Sequence, residues 1–306
     1  MRYDQFSTCE RLFLEGESFF HLCTKPIEID ILFRSPEELN EALNMVAMAV
    51  FAADCRLLAF AIMSNHLHFV IEGSLSSCEA FFGQFHALLS KFLSRTNRFD
   101  LSKQCIPNYV PINNLKQLRD EIAYVVRNPY VASPNVNMFS YRWCSGYLLF
   151  NDMLEYAREG EYAINKTTTW RRSFTRSRNG EVSPRLIVLD GVALPSCFVD
   201  FKRAESFFSN AREYQQWLLK NVESQVAVAK RLGDTIVLND NEMWEVACRQ
   251  GRELFKVNNP RELSADNRII LAKTLKYDYN ATNSQISRCL GIIRSAVDQI
   301  FPLSNK

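Results

Sequence analysis

The sequence predicts an α+β fold: a small antiparallel sheet with covering helices, followed by a helical C-terminal region that carries a helix-turn-helix pattern. Three observations lead there. Strand-like and helix-like apolar runs alternate between residues 17 and 127. A basic stretch rich in Ser, Thr and Asn then breaks the alternation at 162–185. From Phe198 onward the chain is patterned almost throughout as helix. These features divide it into four expected segments: 1–155 as an α+β domain, 156–197 as a basic linker, 198–260 as a helical region without an assigned role, and 261–306 as a helix-turn-helix domain.

The elements follow in order. Residues 17–24 are aromatic enough for a strand. Ser35 is placed to cap a helix that has Pro36 in its first turn. Leu39, Leu43, Val46, Met48, Val50 and Phe51 carry helical spacing from Pro36 to about Ala53. Residues 56–62 are a continuous apolar run suited to a buried strand, and a Ser64-Asn65 turn leads into a further strand from His66 to Glu72. A second helix is expected from about Ser77 to Thr96, with Phe81, Phe85, Leu88, Leu89 and Phe92 inward. A looser stretch runs to Asn114. A third helix is expected from about Leu115 to Arg127, stopping before Asn128-Pro129 because proline disfavours helix continuation.

Composition narrows the function classes. With 47% hydrophobic and 23% charged residues, 306 residues can bury a sizeable core. The net charge of +2 excludes a uniformly basic surface, so a nucleic-acid site has to come from local clustering. The nine cysteines are odd in number and contain no CxxC pair, which argues against a disulfide framework or a zinc knuckle. The sequence shows no signal-peptide pattern and no apolar run of membrane-spanning length, so a cytoplasmic location without a membrane partner is expected.

The chemistry concentrates in two places. In Ile62-Met63-Ser64-Asn65-His66-Leu67-His68-Phe69-Val70-Ile71, strand periodicity puts His66, His68 and Val70 on one face. Two imidazoles so placed can grip one divalent cation from a rigid element while leaving positions open for substrate. Two histidines also fall on one strand face by chance. His21 and His86 complete the four histidines and lie elsewhere in the sequence. Downstream, Tyr124 and Asn128 are four apart on one helix face. A tyrosine hydroxyl becomes a covalent nucleophile when activated, and Asn128 offers an oxygen ligand one turn away. The plainer alternative is a core tyrosine and a helix C-cap.

Taken together, Ala61-Ile62-Met63-Ser64-Asn65-His66-Leu67-His68, Tyr124-Val125-Val126-Arg127-Asn128-Pro129 and Tyr141-Arg142-Trp143-Cys144-Ser145 agree in order and spacing with a known family. This part of the chain, roughly residues 17–150, resembles the HUH single-tyrosine transposases, in particular the REP-associated tyrosine transposases. It departs from their pattern at Ser64, where proline is usual, and at Cys144, where serine is usual. The resemblance implies an HUH, ferredoxin-like or RRM-like catalytic domain. It also implies a divalent cation, magnesium or manganese, bound by His66 and His68, with Asn128 as third ligand. Tyr124 would attack a scissile phosphate to give a 5′-phosphotyrosine, and the partner would be single-stranded or hairpin DNA. The acting form would be a monomer or a homodimer in the bacterial cytosol or nucleoid. The alternative is a domesticated relative that binds repetitive or hairpin DNA without cutting it. No nucleotide cofactor is expected, since the sequence has no GxxxxGK[ST] loop.

Two further stretches suit DNA. Trp170, Arg171, Arg172, Arg176 and Arg178 combine cations with an aromatic ring, the ingredients of single-strand binding. From Thr282, Ser287, Gly291 and Val297 fit the helix-turn-helix pattern, with Ile286, Leu290 and Ile300 as core. The preceding Ile269-Ile270-Leu271 helix would complete a three-helix unit. Arg294, Ser295, Asp298 and Gln299 would then face out as base or phosphate contacts. An ordinary αα-hairpin has the same periodicity.

Overall fold

The computed structural model describes residues 7–27, 30–132, 138–152, 154, 183–219, 222–234, 238 and 240–302. The chain divides into two compact units, Met1–Leu219 and Lys220–Lys306. No helix among the described residues is long and apolar enough to cross a membrane.

The first unit is α+β. Its elements begin α1 (Thr8–Leu14), β1 (Phe19–Thr24), α2 (Pro36–Ala52), β2 (Arg56–Ile62), β3 (Leu67–Glu72) and α3 (Leu75–Arg95). They continue with α4 (Phe99–Ser102), β4 (Pro107–Ile112) and α5 (Leu115–Ala132). The four strands form one antiparallel sheet in the order β2-β3-β1-β4. Ser35 caps α2 through the Glu38 N–H, with Pro36 in the first turn. Ser74 caps α3 by the same chemistry, and the helix begins at Leu75, two residues earlier than the sequence suggests.

The sheet is buried on both sides, as every residue of β3 shows. On one side Phe69 meets Phe81 and Phe85 of α3 edge-on, at ring separations of 5.1 and 6.0 Å. On the other side α5 lies across β2 and β3. Register assigns residues to these sides: Leu22 opposes Phe69, while Cys23 opposes His68 and His21 opposes Val70. β2 contributes Ala59 and Ala61 opposite Val70 and His68, and both are buried. These small side chains leave room on the α5 face for the imidazole.

Three expectations change. The stretch between Asn97 and Asn114 is not loose: it holds α4 and the strand β4, paired along its length with β1. Pro107 and Pro111 disguise it, since prolines are confined to edge strands. His66 stands one residue before β3, in a tight turn closed by Met63 N–H to the His66 carbonyl. Helix α5 does not stop at Arg127 but runs through Pro129 to Ala132. Pro129 has no N–H for the carbonyl of Val125, four residues back. The Cys144 thiol lies 3.8 Å from the carbonyls of Val125 and of Val126 and can donate to either. A donor from outside the helix thus serves the position that proline vacates.

The Tyr141-Arg142-Trp143-Cys144-Ser145 segment is an edge cover for β2. Ile62 N–H donates to the Trp143 carbonyl at 2.8 Å, Tyr141 Oη donates to the Ile62 carbonyl, and Ser145 Oγ accepts from Phe60 N–H. Gly146 follows in a space where a Cβ would stand 2.6 Å from the Met138 carbonyl oxygen. Farther along the same edge, Val199 bridges Leu57 in parallel and Asp200 N–H donates to the Leu57 carbonyl. Helices α6 (Phe201–Glu205) and α7 (Ala211–Leu218) follow. Phe198, Phe201, Phe207, Tyr214 and Leu218 belong to the first core. The segment expected as 198–260 is therefore divided after Leu219. Arg203 of α6 forms a fork on Glu72, with Nε to Oε2 at 2.9 Å and Nη2 to Oε1 at 2.8 Å. Burial works to raise the Glu72 pKa, but the Arg203 hydrogen bonds and the charges of Arg203 and Arg56 outweigh it and hold the carboxyl below its ordinary value.

The second unit is helical: α8 (Val222–Leu232), α9 (Asp240–Phe255), α10 (Ala265–Asp278), α11 (Asn283–Leu290) and α12 (Arg294–Ile300). Its core includes Met243, Val246, Leu271, Leu275, Ile286, Leu290 and Val297. Thr282 and Gln285 form a capping box on α11, and Gly291 ends it at φ 64°, a left-handed conformation that favours glycine. Ile300, expected in this core, is 36% exposed; Phe301 is buried in its place.

Candidate functional site

The site forms where α5 crosses the sheet. His68 is fully buried at the centre of that face. His66 reaches it from the turn before β3, its ring 4.9 Å from that of His68 and nearly perpendicular. Tyr124 presents its ring edgewise to His68 at 5.6 Å and to His21 at 6.1 Å. One turn later, Asn128 Nδ2 lies 3.2 Å from His68 Nε2. The four residues singled out from two distant stretches of sequence are therefore together. They are together because α5 continues past Arg127, so that Tyr124 and Asn128 stay on one helical face.

Two residues join them that sequence reasoning missed. His21 on β1 lies with Nε2 3.1 Å from His68 Nδ1 and with Nδ1 2.7 Å from Glu121 Oε2. Both His21 and Glu121 are completely buried. Glu121 precedes Tyr124 by three residues on α5, a spacing that puts both on one face. That was a usable signal for Glu121. His21 is brought in only by the pairing of β1 with β3, which no local pattern announces. Three of the four histidines meet here, while His86 donates from Nε2 to the Ser102 carbonyl and serves the fold.

The ring nitrogens can be assigned by donor chemistry. Asn65 Nδ2 donates to the Ile27 carbonyl at 3.3 Å, which turns Oδ1 to His66 Nδ1 at 2.8 Å. An amide oxygen only accepts, so His66 Nδ1 donates this bond and Nε2 is the ring nitrogen left to face a cation. For His68, burial, with His66 and His21 nearby, holds the pKa well below the ordinary histidine value, so the ring is neutral at pH 7. Two imidazoles beside a carboxamide are a donor set that suits a divalent cation.

Buried His and Cys donors that could hold a metal also include His21, Cys23 and His68, within 4.8 Å of one another. In that set His21 Nε2 and His68 Nδ1 already face each other at hydrogen-bond distance. In the His66–His68–Asn128 set His68 Nε2 is engaged too, by Asn128 Nδ2 at 3.2 Å, so a cation there would replace that contact and take the amide through its oxygen.

The other named residues are placed as follows. Tyr109 of β4 pairs with Leu22 of β1 and so points to the α3 side of the sheet, away from the histidines. Burial, with Glu79 and Cys78 nearby, raises its pKa to about 12. Trp170, Arg171, Arg172, Arg176 and Arg178 lie outside the described residues. In the second unit Ser295 and Gln299 are exposed. Arg294 is engaged within the unit, in an ion pair with Asp298 at 2.8 Å and a hydrogen bond to Ser284. Asp298 also accepts from Asn283 Nδ2, so this pair first fastens α12 to α11. Compared with known proteins, the chain matches no family model, no curated protein and no solved structure.

Proposed function

We propose that this chain cuts and rejoins single-stranded DNA by the chemistry of the HUH single-tyrosine transposases. One observation carries the reading: His66, His68, Tyr124 and Asn128, drawn from separate stretches of sequence, converge on one face of a four-stranded antiparallel sheet. The sheet with its covering helices is the coarse form that an HUH domain of ferredoxin-like or RRM-like type requires.

In this reading Tyr124 Oη attacks the scissile phosphorus. The Oη–P bond forms, the P–O3′ bond breaks, the tyrosine proton is lost to solvent and the leaving 3′ oxygen takes one up. The product is a 5′-phosphotyrosine and a free 3′-hydroxyl. Attack by a 3′-hydroxyl on the phosphotyrosine reverses these bond changes and rejoins a strand. One phosphodiester is exchanged for another, so no nucleoside triphosphate is consumed. A magnesium or manganese ion held by His66, His68 and Asn128 would supply Lewis-acid polarisation of the phosphate. The edge-on rings of His68 and His21 limit the travel of the tyrosine ring, so its hydroxyl is held in orientation before DNA arrives. The α11–α12 pair, with Ser295 and Gln299 exposed on α12, is read as a helix-turn-helix that binds duplex or hairpin DNA.

The test is a labelled single-stranded hairpin oligonucleotide, incubated with the protein and Mn²⁺ and run on a denaturing gel. A covalent adduct that is lost in Tyr124→Phe and in His66→Ala is the expected result. An adduct that persists in Tyr124→Phe refutes the tyrosine assignment. Metal-dependent cleavage without any adduct points to a water-using hydrolase, and binding without cleavage to a DNA-binding regulator.

A further inference from the structure

The metal ligands of the proposed site are imidazoles, and an imidazole binds a cation only through a nitrogen without a proton. Which nitrogen that is depends on what the other one touches. For His66 the answer is Asn65, anchored to the Ile27 carbonyl. For His68 it is a buried chain of groups.

The amide of Asn128 sets the order of protons along that chain. Asn128 turns its Nδ2 toward His68 Nε2, and a carboxamide nitrogen only donates, so Nε2 accepts. The single proton of neutral His68 is then on Nδ1 and is donated to His21 Nε2 at 3.1 Å. His21 therefore keeps its own proton on Nδ1 and donates it to Glu121 Oε2 at 2.7 Å. Each contact then has one donor and one acceptor, and the chain ends on the carboxyl group of Glu121. All three of its members, Glu121, His21 and His68, are completely buried, so water does not compete for these contacts.

We infer that Glu121 and His21 are positioning residues: they fix the proton of His68 on Nδ1 and leave its Nε2 lone pair to the place that Asn128 Nδ2 holds here and that a cation would take, with Asn128 turning its oxygen to it. This rests on the metal reading of His66, His68 and Asn128. It assigns a role to a histidine and a glutamate on two further elements, β1 and α5. The carboxylate, acting through His21, also raises the basicity of the His68 nitrogen that would face the cation.

Two measurements test it. Ring ¹⁵N–¹H correlation spectra of the metal-free wild type should show His68 protonated on Nδ1; a proton on Nε2 overturns the inference, with no variant required. Calorimetric titration with Mn²⁺ should then give affinities roughly ten- to a hundredfold weaker for His21→Phe and Glu121→Leu than for wild type. Glu121→Gln keeps an acceptor oxygen and should retain affinity closer to wild type. Wild type that binds Mn²⁺, with both Glu121→Leu and His21→Phe binding equally well, overturns the inference and leaves the metal reading intact. Wild type that takes up no Mn²⁺ overturns the metal reading and this inference with it.

Discussion

The two faces of the first sheet are built from opposite materials. Toward α3 the contacts are aromatic and aliphatic: Phe69, Phe81, Phe85, Leu22 and Leu89 are all inaccessible to solvent. Toward α5 the same depth of burial is given to His21, His68 and Glu121. Buried polar groups add less net stability than apolar ones of the same volume, and each becomes costly when its partner is removed. The α3 face is thus the part that holds the domain together. The α5 face gives up stability that an apolar packing would have supplied, and that difference sets the candidate site apart from the rest of the core.

The comparison can be broken by substitution, the largest effect coming first. Phe69→Ala should cost about 3–5 kcal/mol, read by denaturant unfolding, because it empties the middle of the aromatic cluster. On the other face, Glu121→Leu alone should cost about 3 kcal/mol by stranding His21 without its acceptor. The triple replacement Glu121→Leu, His21→Leu, His68→Leu should recover most of that loss. If the triple variant is much less stable than Glu121→Leu, the polar face is structural after all.

At the end of the sheet the Glu72–Arg203 fork gives a pH test. Because the folded carboxyl titrates below its ordinary value of 4.5, its contribution is complete above that value and is lost as pH falls through the lower folded value. Glu72→Gln should therefore lower stability at pH 7 and flatten its decline on acidification, measured by urea unfolding across that range. An unchanged acid profile would mean that the fork is not stabilising.

The smallest effect concerns Cys144. Cys144→Val removes the donor from the α5 carbonyls and should cost about 1–2 kcal/mol, while Cys144→Ser should stay within about 1 kcal/mol of the parent. In a Pro129→Ala background, where the helix can bond Val125 itself, the cost of the valine should shrink. Equal costs in the two backgrounds would separate Cys144 from the proline.

What could be read in advance follows from the range of the interactions. Helix α2, strand β2 and the Ser35 cap were legible because apolar period and capping chemistry are local. The spacing of His66 with His68 and of Tyr124 with Asn128 could be read for the same reason, while the expectation that they belong together rested on the family resemblance. Strand β4 was hidden by its prolines, and the true end of α5 by Pro129, whose cost is met by a thiol fifteen residues later. His21 could not be connected with His68 because forty-seven residues and a strand pairing lie between them. The residues that complete the site are those whose placement depends on the sheet.

The cover along the outer side of β2 has a consequence for how copies of this protein meet. A free strand edge is a template on which another chain can add a strand, and it is a common route to aggregation. Here that edge is taken up by the Trp143–Cys144 and Val199–Asp200 segments, while the opposite edge strand carries Pro107 and Pro111, which cannot donate to a newcomer. Both ends of the sheet are thus guarded against growth by strand addition. A dimer of this chain would be expected to join through helical surfaces, leaving each sheet and its histidines complete within one copy.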